Sequence, residues 1–379
     1  MAITVGVPRE TFPGERRVAL TPRGAEALCK LGCSVVVQRD AGAAACFADA
    51  AYVARGASIA SRAEVFAAAE VILQVRCLGA NPVEGRADLA LFRPGQTLIG
   101  TGEPLTAIQE CAELAAAGVS LFALELMPRI TRAQSMDVLS AMGTIAGYQA
   151  VLLAATTLPK IFPMLMTAAG TITPAKVLVL GAGVAGLQAI ATARRLGAVV
   201  SAYDVRPAVK EQVESLGAKF VVLDIDSATA EDKSGYAKAL GPEFYKRQQE
   251  LLAAVLAEQD VVITTALVPG KTAPVLITAA MAEAMQAGSV IVDIAAERGG
   301  NCELTRPGET VVHNGVTILG PLNLPSLAPR DASHMLSTNF VAFLRLIAPK
   351  GILEVNLEDE IIRATLVTRA VSVRGAALP

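Results

Sequence analysis

Short apolar runs rich in β-branched residues alternate with alanine-rich helical segments along almost the whole chain of 379 residues. In the first third, strands are predicted over residues 4–7, 34–38, 71–75, 97–100 and 119–123, and helices over 22–31, 62–69 and 105–117. Strands that alternate with helices indicate βαβ units and therefore a parallel sheet. The strand at 71–75 is almost continuously apolar, which is typical of a sheet covered on both faces.

The same alternation returns in the middle of the chain. Strands are predicted there over residues 176–180, 199–203, 219–223, 260–267, 289–294 and 316–319, with a helix over 184–196. We therefore expect an α/β protein with two Rossmann-like, doubly wound parallel-sheet domains joined by long helices. The first domain is expected to combine residues 1–139 with 325–379, because an amphipathic helix over 331–347 can return to it. Residues 140–324 are expected to form the second domain.

A glycine-rich hexapeptide, Gly181-Ala182-Gly183-Val184-Ala185-Gly186, follows one of these strands and opens the helix at 184–196. This is the G-x-G-x-x-G pattern in the strand–turn–helix context that dinucleotide binding requires. The first glycine permits a tight turn, the second lets the backbone approach a pyrophosphate, and the third lets helix and strand pack closely. We expect a diphosphate at the helix N-terminus, where N–H groups and the helix dipole favour negative charge.

Asp204 ends the next predicted strand, 204 − 186 = 18 residues after the third glycine. The acidic residue that binds the adenosine ribose is expected roughly 20 residues after this pattern. Its carboxylate accepts hydrogen bonds from ribose hydroxyls and repels a 2′-phosphate, so NAD is favoured over NADP. Arg206, two residues further on, opposes that preference.

Composition excludes other classes of protein. The 33 Lys and Arg residues against 35 Asp and Glu give a net charge of −2 with no basic tract, which argues against nucleic-acid binding. Mean hydropathy is +0.48, but glycines and polar residues interrupt the uncharged run at 138–159, so we expect a buried helix of a soluble protein. The N-terminal residues predict a strand and not a signal peptide, and the six cysteines lack metal-site spacing. A cytosolic protein with reduced thiols and no metal is expected.

Groups that transfer protons are scarce. A dehydrogenase acting on an alcohol or an amino acid needs such a group beside the nicotinamide, usually His or Lys. The two histidines, His313 and His334, come late and are interpreted as structural, and Lys30, the one lysine in residues 1–139, is interpreted as a solvated helix position. Hydride transfer between two nicotinamides needs no such group. An amino-acid dehydrogenase with an unrecognised base and an NAD-sensing binding module remain the alternatives.

Two polar segments have more than one interpretation. Arg129, Gln134, Asp137 and Ser140 are spaced five, three and three residues apart. The last three can share a helical face, and all four groups together can hold a carboxamide and a ribose, although an exposed polar helix start explains the spacing equally well. Residues 224–241, with Gly235 and Tyr236 near their centre, are typical of either a lid or a solvated insertion.

At these residues the chain resembles the alanine dehydrogenase and transhydrogenase family, and the likeness covers nearly its whole length. The matching stretches are residues 6–10, 17–22, 128–140, 146–148, 181–186, 203–206, 235–238 and 264–270. The Arg-Gln-Asp loop and the Gly-Tyr segment resemble the transhydrogenase branch, in its soluble NAD(H)-binding domain I. Where alanine dehydrogenases have a Lys-Val-Lys-Glu-Pro-like stretch and a nearby histidine, this chain has Gln74-Val75-Arg76-Cys77 and no histidine. Arg17, which matches the family's substrate-carboxylate arginine, remains, but alanine dehydrogenase activity is not expected.

The resemblance implies a role for each site residue. Arg129, Gln134, Asp137 and Ser140 would position the dihydronicotinamide, and the loop with Gly235 and Tyr236 would close over the nucleotide. Val205, Ala266 and Leu267 would join the glycine-rich turn, Asp204 and Arg206 in binding NAD(H).

The resemblance also implies partners on other chains. Hydride would pass directly between NADH here and NADP⁺ on a separate domain III, as in Re/Si-specific transhydrogenases, coupled to proton movement through a membrane domain II. The chain would form a homodimer, would have no membrane span of its own, would act only with its partners, and would dock at the inner, cytoplasmic face of the membrane.

Overall fold

A computed structural model of the chain describes residues 2–223 and 242–369. The chain divides into two units by its internal contacts: unit 1 is Met1–Met142 with Ser326–Pro379, and unit 2 is Gly143–Pro325. Unit 1 is therefore discontinuous in sequence, and unit 2 is inserted within it.

The strands, in chain order, are β1 Thr4–Val7, β2 Ser34–Gln38, β3 Ser58–Ala60, β4 Val71–Arg76, β5 Thr97–Thr101, β6 Ser120–Ala123, β7 Leu165–Thr167, β8 Gly170–Ile172, β9 Lys176–Leu180, β10 Val199–Tyr203, β11 Lys219–Phe220, β12 Val261–Thr264, β13 Val290–Asp293, β14 Thr310–His313, β15 Val316–Leu319 and β16 Leu366–Thr368. The α-helices are α1 Pro22–Leu31, α2 Asp49–Val53, α3 Arg62–Ala68, α4 Ile108–Ala116, α5 Val138–Thr157, α6 Val184–Arg195, α7 Lys210–Ser215, α8 Pro242–Ala257, α9 Ala279–Glu283, α10 Pro329–Ile347 and α11 Glu360–Thr365.

The sheet of unit 1 has the strand order β3-β2-β1-β4-β5-β6-β16. Its strands run parallel except β16, which pairs antiparallel with β6. Local sequence signals set its helices: Thr21 caps α1 by accepting a hydrogen bond from the Gly24 N–H, and Gly32 ends the helix in the left-handed conformation. Strands β2 and β3 lie on one side of β1, and β4, β5 and β6 lie on the other, so the strand order reverses between β1 and β4. Ligands bind at such a reversal in open α/β sheets.

The sheet of unit 2 repeats this plan, with the order β11-β10-β9-β12-β13-β15-β14. Here β14 is the antiparallel edge strand, paired with β15, and the reversal lies between β9 and β12. Apart from Lys176, Thr264 and Asp293, the strands β9, β12 and β13 consist of valine, isoleucine and leucine, and Lys176 alone of their residues is exposed. The fold class expected from the sequence is confirmed: both units contain doubly wound, largely parallel sheets.

The uncharged helix α5 begins in unit 1 and continues into unit 2. Its later residues Ala146, Ala150, Val151 and Ala154 belong to the core of unit 2. Within the described residues it is the one helix long and apolar enough to cross a membrane, which is weak evidence because core helices pass the same test. Gly147 lets this helix approach α6, since a Cβ there would overlap the Ala185 carbonyl. Close packing of this kind is typical of a core helix in a folded α/β unit.

Several element boundaries differ from those expected. The strand expected over 260–267 ends at Thr264, the one expected over 219–223 ends at Phe220, and the helix expected over 105–117 begins at Ile108. Strands β3, β7, β8, β14 and β16 were not expected. They are short, and β14 and β16 pair antiparallel at sheet edges, where the burial that produces a continuous apolar run is missing.

Candidate functional site

The glycine-rich turn lies at the strand-order reversal of unit 2. It connects β9 to α6, next to the carboxyl end of β12. Gly181 has a φ of +97°, which disfavours a side chain, and a Cβ there would come 2.5 Å from Thr265 Oγ1. The Thr265 hydroxyl donates to the Gly181 carbonyl over 3.0 Å, and the Thr265 N–H donates to the Leu180 carbonyl over 2.8 Å. The turn is therefore bound to the neighbouring strand end on the side where the sheet order reverses.

The other two glycines of the turn differ in what surrounds them. A Cβ on Gly186 would overlap the Gly181 carbonyl, so this glycine is required for packing α6 against β9. A Cβ on Gly183 would meet no atom within 4 Å, and the residue has an ordinary extended backbone. The fold therefore gives no packing reason for Gly183. An open approach to the backbone there, before the first helical residues Val184 and Ala185, fits a diphosphate at the helix N-terminus.

Asp204 lies beside this turn at the end of β10. Its Oδ2 accepts hydrogen bonds from the Ala182 N–H at 2.7 Å and from an Arg206 Nη at 2.8 Å. Its Oδ1 accepts from the Arg206 backbone N–H and Nε, both at 2.9 Å. Asp204 is buried, and Val205 and Arg206 are half-buried. The predicted ribose-binding carboxylate is thus fixed to the second residue of the glycine-rich turn.

Ala266 and Leu267 follow β12 on the same side of the sheet. Asn301 holds Ala266 in both directions: its Oδ1 accepts from the Ala266 N–H, and its Nδ2 donates to the Ala266 carbonyl, each at 2.9 Å. Leu267 is exposed. This side-chain pairing replaces strand pairing, which explains why β12 ends three residues earlier than expected.

A buried carboxylate, Asp293, supports Asn301 from the end of β13. Its Oδ2 accepts from the Asn301 N–H at 2.7 Å and the Thr305 hydroxyl at 2.7 Å, and its Oδ1 from the Thr264 hydroxyl at 2.8 Å. Sequence reasoning missed both Asp293 and Asn301. A signal was present for Asp293 alone, because it ends an apolar run, as Asp204 does.

The structure thus brings the predicted cofactor-binding residues of the described part of unit 2 to one edge of its sheet. These are Gly181, Gly183, Val184, Ala185, Gly186, Asp204, Val205, Arg206, Ala266 and Leu267. Gly235 and Tyr236 lie outside the described residues.

The four predicted catalytic residues lie in unit 1, around a 3₁₀ helix, Thr131–Met136: Arg129 precedes it, Gln134 is on it, and Asp137 and Ser140 follow it. Arg129 and Gln134 are exposed, and Asp137 and Ser140 are half-buried. Asp137 Oδ1 accepts from the Ser140 N–H at 2.9 Å, and its Oδ2 accepts from the Ser140 hydroxyl at 2.5 Å. Asp137 therefore caps α5. This carboxylate has a structural role in addition to the role in positioning the nicotinamide that the resemblance implies.

Neighbouring residues anchor this segment within unit 1. Ala133 and Met136 belong to the hydrophobic core, and the Ser135 carbonyl accepts from Asn339 Nδ2 on α10 at 2.8 Å. Arg132 forms a two-pronged ion pair with Asp359, with N–O distances of 2.6 and 3.0 Å. These anchoring contacts lie on both sides of Gln134, so the segment presents this exposed side chain from a fixed backbone.

Comparison with known proteins identifies the family. The alanine dehydrogenase/PNT N-terminal domain matches residues 6–146, and the alanine dehydrogenase/PNT C-terminal domain matches residues 150–375. The chain belongs to the alanine dehydrogenase/PNT family.

Within the alanine dehydrogenase/PNT family, similarity is greater to transhydrogenase chains. An NAD(P) transhydrogenase alpha-subunit chain of Rhodospirillum rubrum is 48% identical over 370 residues, which cover 96% of each chain. The crystal structure of a transhydrogenase from Sinorhizobium meliloti matches with a TM-score of 0.85 at 45% identity, covering 97% of this chain and 99% of the other. An alanine dehydrogenase of Mycolicibacterium smegmatis is 30% identical over 357 residues, which cover 92% of this chain and 88% of its own.

Arg76 and Arg17, the two positions at which the sequence was compared with alanine dehydrogenases, lie in unit 1. Arg76 ends β4 where a lysine was expected for a dehydrogenase, and its guanidinium lies 4.2 Å from the centre of the Phe12 ring. An arginine stays protonated in proteins and cannot accept a proton. Arg17 is buried and forms a bidentate ion pair with Glu15, at 2.6 and 2.7 Å.

Both histidines are exposed or partly exposed and distant in sequence from this part of unit 1. His313 Nε2 lies 2.7 Å from Glu283 Oε1, in unit 2. His334 lies on the exposed face of α10, and its carbonyl accepts from the Thr338 hydroxyl. The contact with Glu283 agrees with the structural interpretation of His313, whereas that of His334 stays a prediction.

Proposed function

We propose that this chain is the NAD(H)-binding component of a proton-translocating transhydrogenase. It would pass hydride directly between NADH held on unit 2 and NADP⁺ held on a separate domain III, in a Re/Si-specific reaction coupled to proton translocation by a membrane domain. The observation that carries the proposal is the glycine-rich turn at the strand-order reversal, with Gly183 open and Asp204 beside it. The similarity to transhydrogenase subunits over 96% of the chain supports the same function.

The residues of the chain would bind, orient and exclude water. The first turn of α6, with Val184 and Ala185, would hold the diphosphate, and Asp204 the adenosine ribose. Ala266 and Leu267, with Val205 and Arg206, would line the same site. Asp204 selects NAD(H) over NADP(H) through its negative charge.

Arg129, Gln134, Asp137 and Ser140 would position the carboxamide and ribose of the nicotinamide half. Gly235 and Tyr236 would close over it. The bound nucleotide supplies the hydride, so no side chain of this protein has to move a proton. That agrees with an arginine at position 76, and with histidines placed elsewhere in the described chain. Holding reacting carbons roughly 3 to 3.5 Å apart would supply most of the rate enhancement.

The proposed assembly is a homodimer that binds domain II and domain III on other chains at the cytoplasmic face of the membrane. The hairpin of β7 and β8 supports an association of this kind, because Leu165, Met166 and Ile172 on it are exposed. Exposed apolar side chains grouped together mark protein contacts. We also propose that units 1 and 2 correspond to two domains, residues 1–139 with 325–379 and residues 140–324.

The experiment that tests the proposal mixes the purified chain with an NADP-binding domain III protein. Transfer between an NADH analogue and NADP(H) is followed by absorbance. We expect transfer only when both proteins are present. Absence of transfer with a domain III protein that is active with another domain I would contradict the proposal.

The 30% identity to an alanine dehydrogenase favours one second candidate, an NAD-dependent amino-acid dehydrogenase. It predicts that the chain alone reduces NAD⁺ with L-alanine at ordinary enzyme rates. We expect no such reaction, because Arg76 cannot act as a base.

A further inference from the structure

The carboxylate of Asp204 has no hydrogen-bonding capacity left for a ribose. Two carboxylate oxygens offer about four lone-pair directions. Three are directed at Arg206, through its backbone N–H, Nε and one Nη, and the fourth at the Ala182 N–H. All four donors lie within 2.7 to 2.9 Å of the carboxylate. A ribose diol that donates to this carboxylate must displace some of them.

The guanidinium of Arg206 is the group that can leave. The Ala182 N–H and the Arg206 backbone N–H belong to the backbone that forms the site, so their loss would deform the turn. The guanidinium is attached through a flexible side chain that is 13% exposed, against 5% for the Asp204 side chain. It supplies two of the four hydrogen bonds, the number that a 2′,3′-diol would need.

We propose that Arg206 is a specificity-determining residue that competes with the adenosine ribose for Asp204. The inference rests on the proposed function, since it assumes that NAD(H) binds to unit 2. Only molecules whose guanidinium has left Asp204 can bind the ribose. The apparent affinity for NAD(H) is therefore reduced in proportion to the fraction of molecules in which this ion pair is open. The released guanidinium is then near the 2′ position, where it attracts a 2′-phosphate and reduces discrimination against NADP(H).

The direction in which the affinity for NADH changes when Arg206 is removed distinguishes this role from simple charge attraction. Removing a positive charge near an anionic ligand should weaken binding. Competition predicts the opposite for NADH, because the loss of Arg206 frees two acceptor directions on Asp204. For NADPH, the loss of the guanidinium leaves the charge of Asp204 unopposed, so binding should weaken.

The test titrates wild type and Arg206→Gln with NADH and with NADPH, following dihydronicotinamide fluorescence. We expect the Kd for NADH to fall by about three- to tenfold in the variant and the Kd for NADPH to rise. Arg195→Gln, which removes an exposed arginine at the end of α6, is the matched control and should leave both constants unchanged. An unchanged or raised Kd for NADH in Arg206→Gln would overturn the inference.

A second readout uses competition by AMP and by 2′-deoxy-AMP, with Arg206→Lys as a further variant. A lysine keeps the charge but cannot form a two-pronged pair, so its NADH affinity should lie between those of wild type and Arg206→Gln. The gain in affinity should be larger for AMP than for 2′-deoxy-AMP, which lacks one hydroxyl. Equal gains would overturn the inference. Wild type that binds neither NADH nor NADPH would instead overturn the proposed function.

Discussion

The backbone carbonyl of Gly181 occupies the space that a Cβ on Gly186 would need. Gly183, between them in sequence, has open space at the corresponding point. One glycine of the turn is thus required by the fold, and the other leaves room that the fold does not use.

Alanine substitutions should therefore separate packing from binding. Gly186→Ala should lower stability by about 1 to 3 kcal/mol, because helix and strand must move apart. Gly183→Ala should keep the wild-type melting temperature but weaken NADH binding by roughly tenfold or more, because the new methyl group keeps a diphosphate from the backbone. Thermal unfolding and fluorescence titration measure the two effects. Equal NADH affinity in Gly183→Ala and wild type would contradict the proposed diphosphate site.

The two hydrogen bonds between Asn301 and Ala266 predict a second case in which substitutions separate stability from nucleotide binding. Asn301→Ala removes both bonds to Ala266, and Thr305→Val, the control, removes one bond to Asp293 without touching Ala266. Each should cost about 1 to 3 kcal/mol in the free energy of unfolding. Only Asn301→Ala should raise the Kd for NADH, because it releases the loop after β12. Chemical denaturation and nucleotide titration test this, and parallel changes in Kd would show that general destabilisation is responsible.

Asp137→Asn tests the positioning role in unit 1. Asparagine caps helices about as well as aspartate, so the loss of stability should stay below roughly 1 kcal/mol. NADH should still bind, whereas hydride transfer to NADP⁺ on a domain III protein should slow markedly. Arg132→Gln, which breaks the exposed pair with Asp359, is the control and should leave transfer nearly unchanged. Stopped-flow measurement of transfer distinguishes the two, and unchanged transfer in Asp137→Asn would remove the role of this carboxylate.

The buried carboxyl of Glu10 predicts a pH dependence of stability. Burial, together with the neighbouring charge of Glu15, raises its pKa from 4.5 to about 8. Burial also acts on Glu15, but Arg17 outweighs it and lowers the pKa of Glu15 to about 2. The folded state therefore holds a proton on Glu10 between pH 4.5 and 8 that the unfolded state has lost. Stability from this group is fully present below pH 4.5 and is lost as the pH rises through 8.

Glu10→Gln removes this titration, and its amide oxygen can still accept from the Val75 N–H. The variant should gain stability relative to wild type by more than about 1 kcal/mol between pH 5 and pH 8.5. Denaturant unfolding of both proteins at the two pH values measures the difference, in which the other carboxyl groups cancel. A difference independent of pH would show that Glu10 does not titrate in this range.

The sequence predicts the elements whose burial is complete and misses those that depend on distant partners. Strands such as Lys176–Leu180 are buried on both faces, so they read as continuous apolar runs. The antiparallel edge strand Leu366–Thr368 forms because β6, far away in sequence, offers a partner, and no local pattern encodes that. Asp204 could be found because its spacing from the turn is fixed by one βαβ unit. Asn301 and the Asp204–Arg206 pair could not, since they depend on where side chains meet in the folded unit.

The discontinuity of unit 1 sets the order in which the two units can be completed during synthesis. When the ribosome has released the chain as far as Pro325, unit 2 has all of its residues. At that moment unit 1 still lacks α10, α11 and β16, which supply part of its core and one edge of its sheet. Domains generally fold as units as they emerge. The glycine-rich turn is therefore available in a complete unit before the N-terminal segment, Met1–Met142, can close its own core.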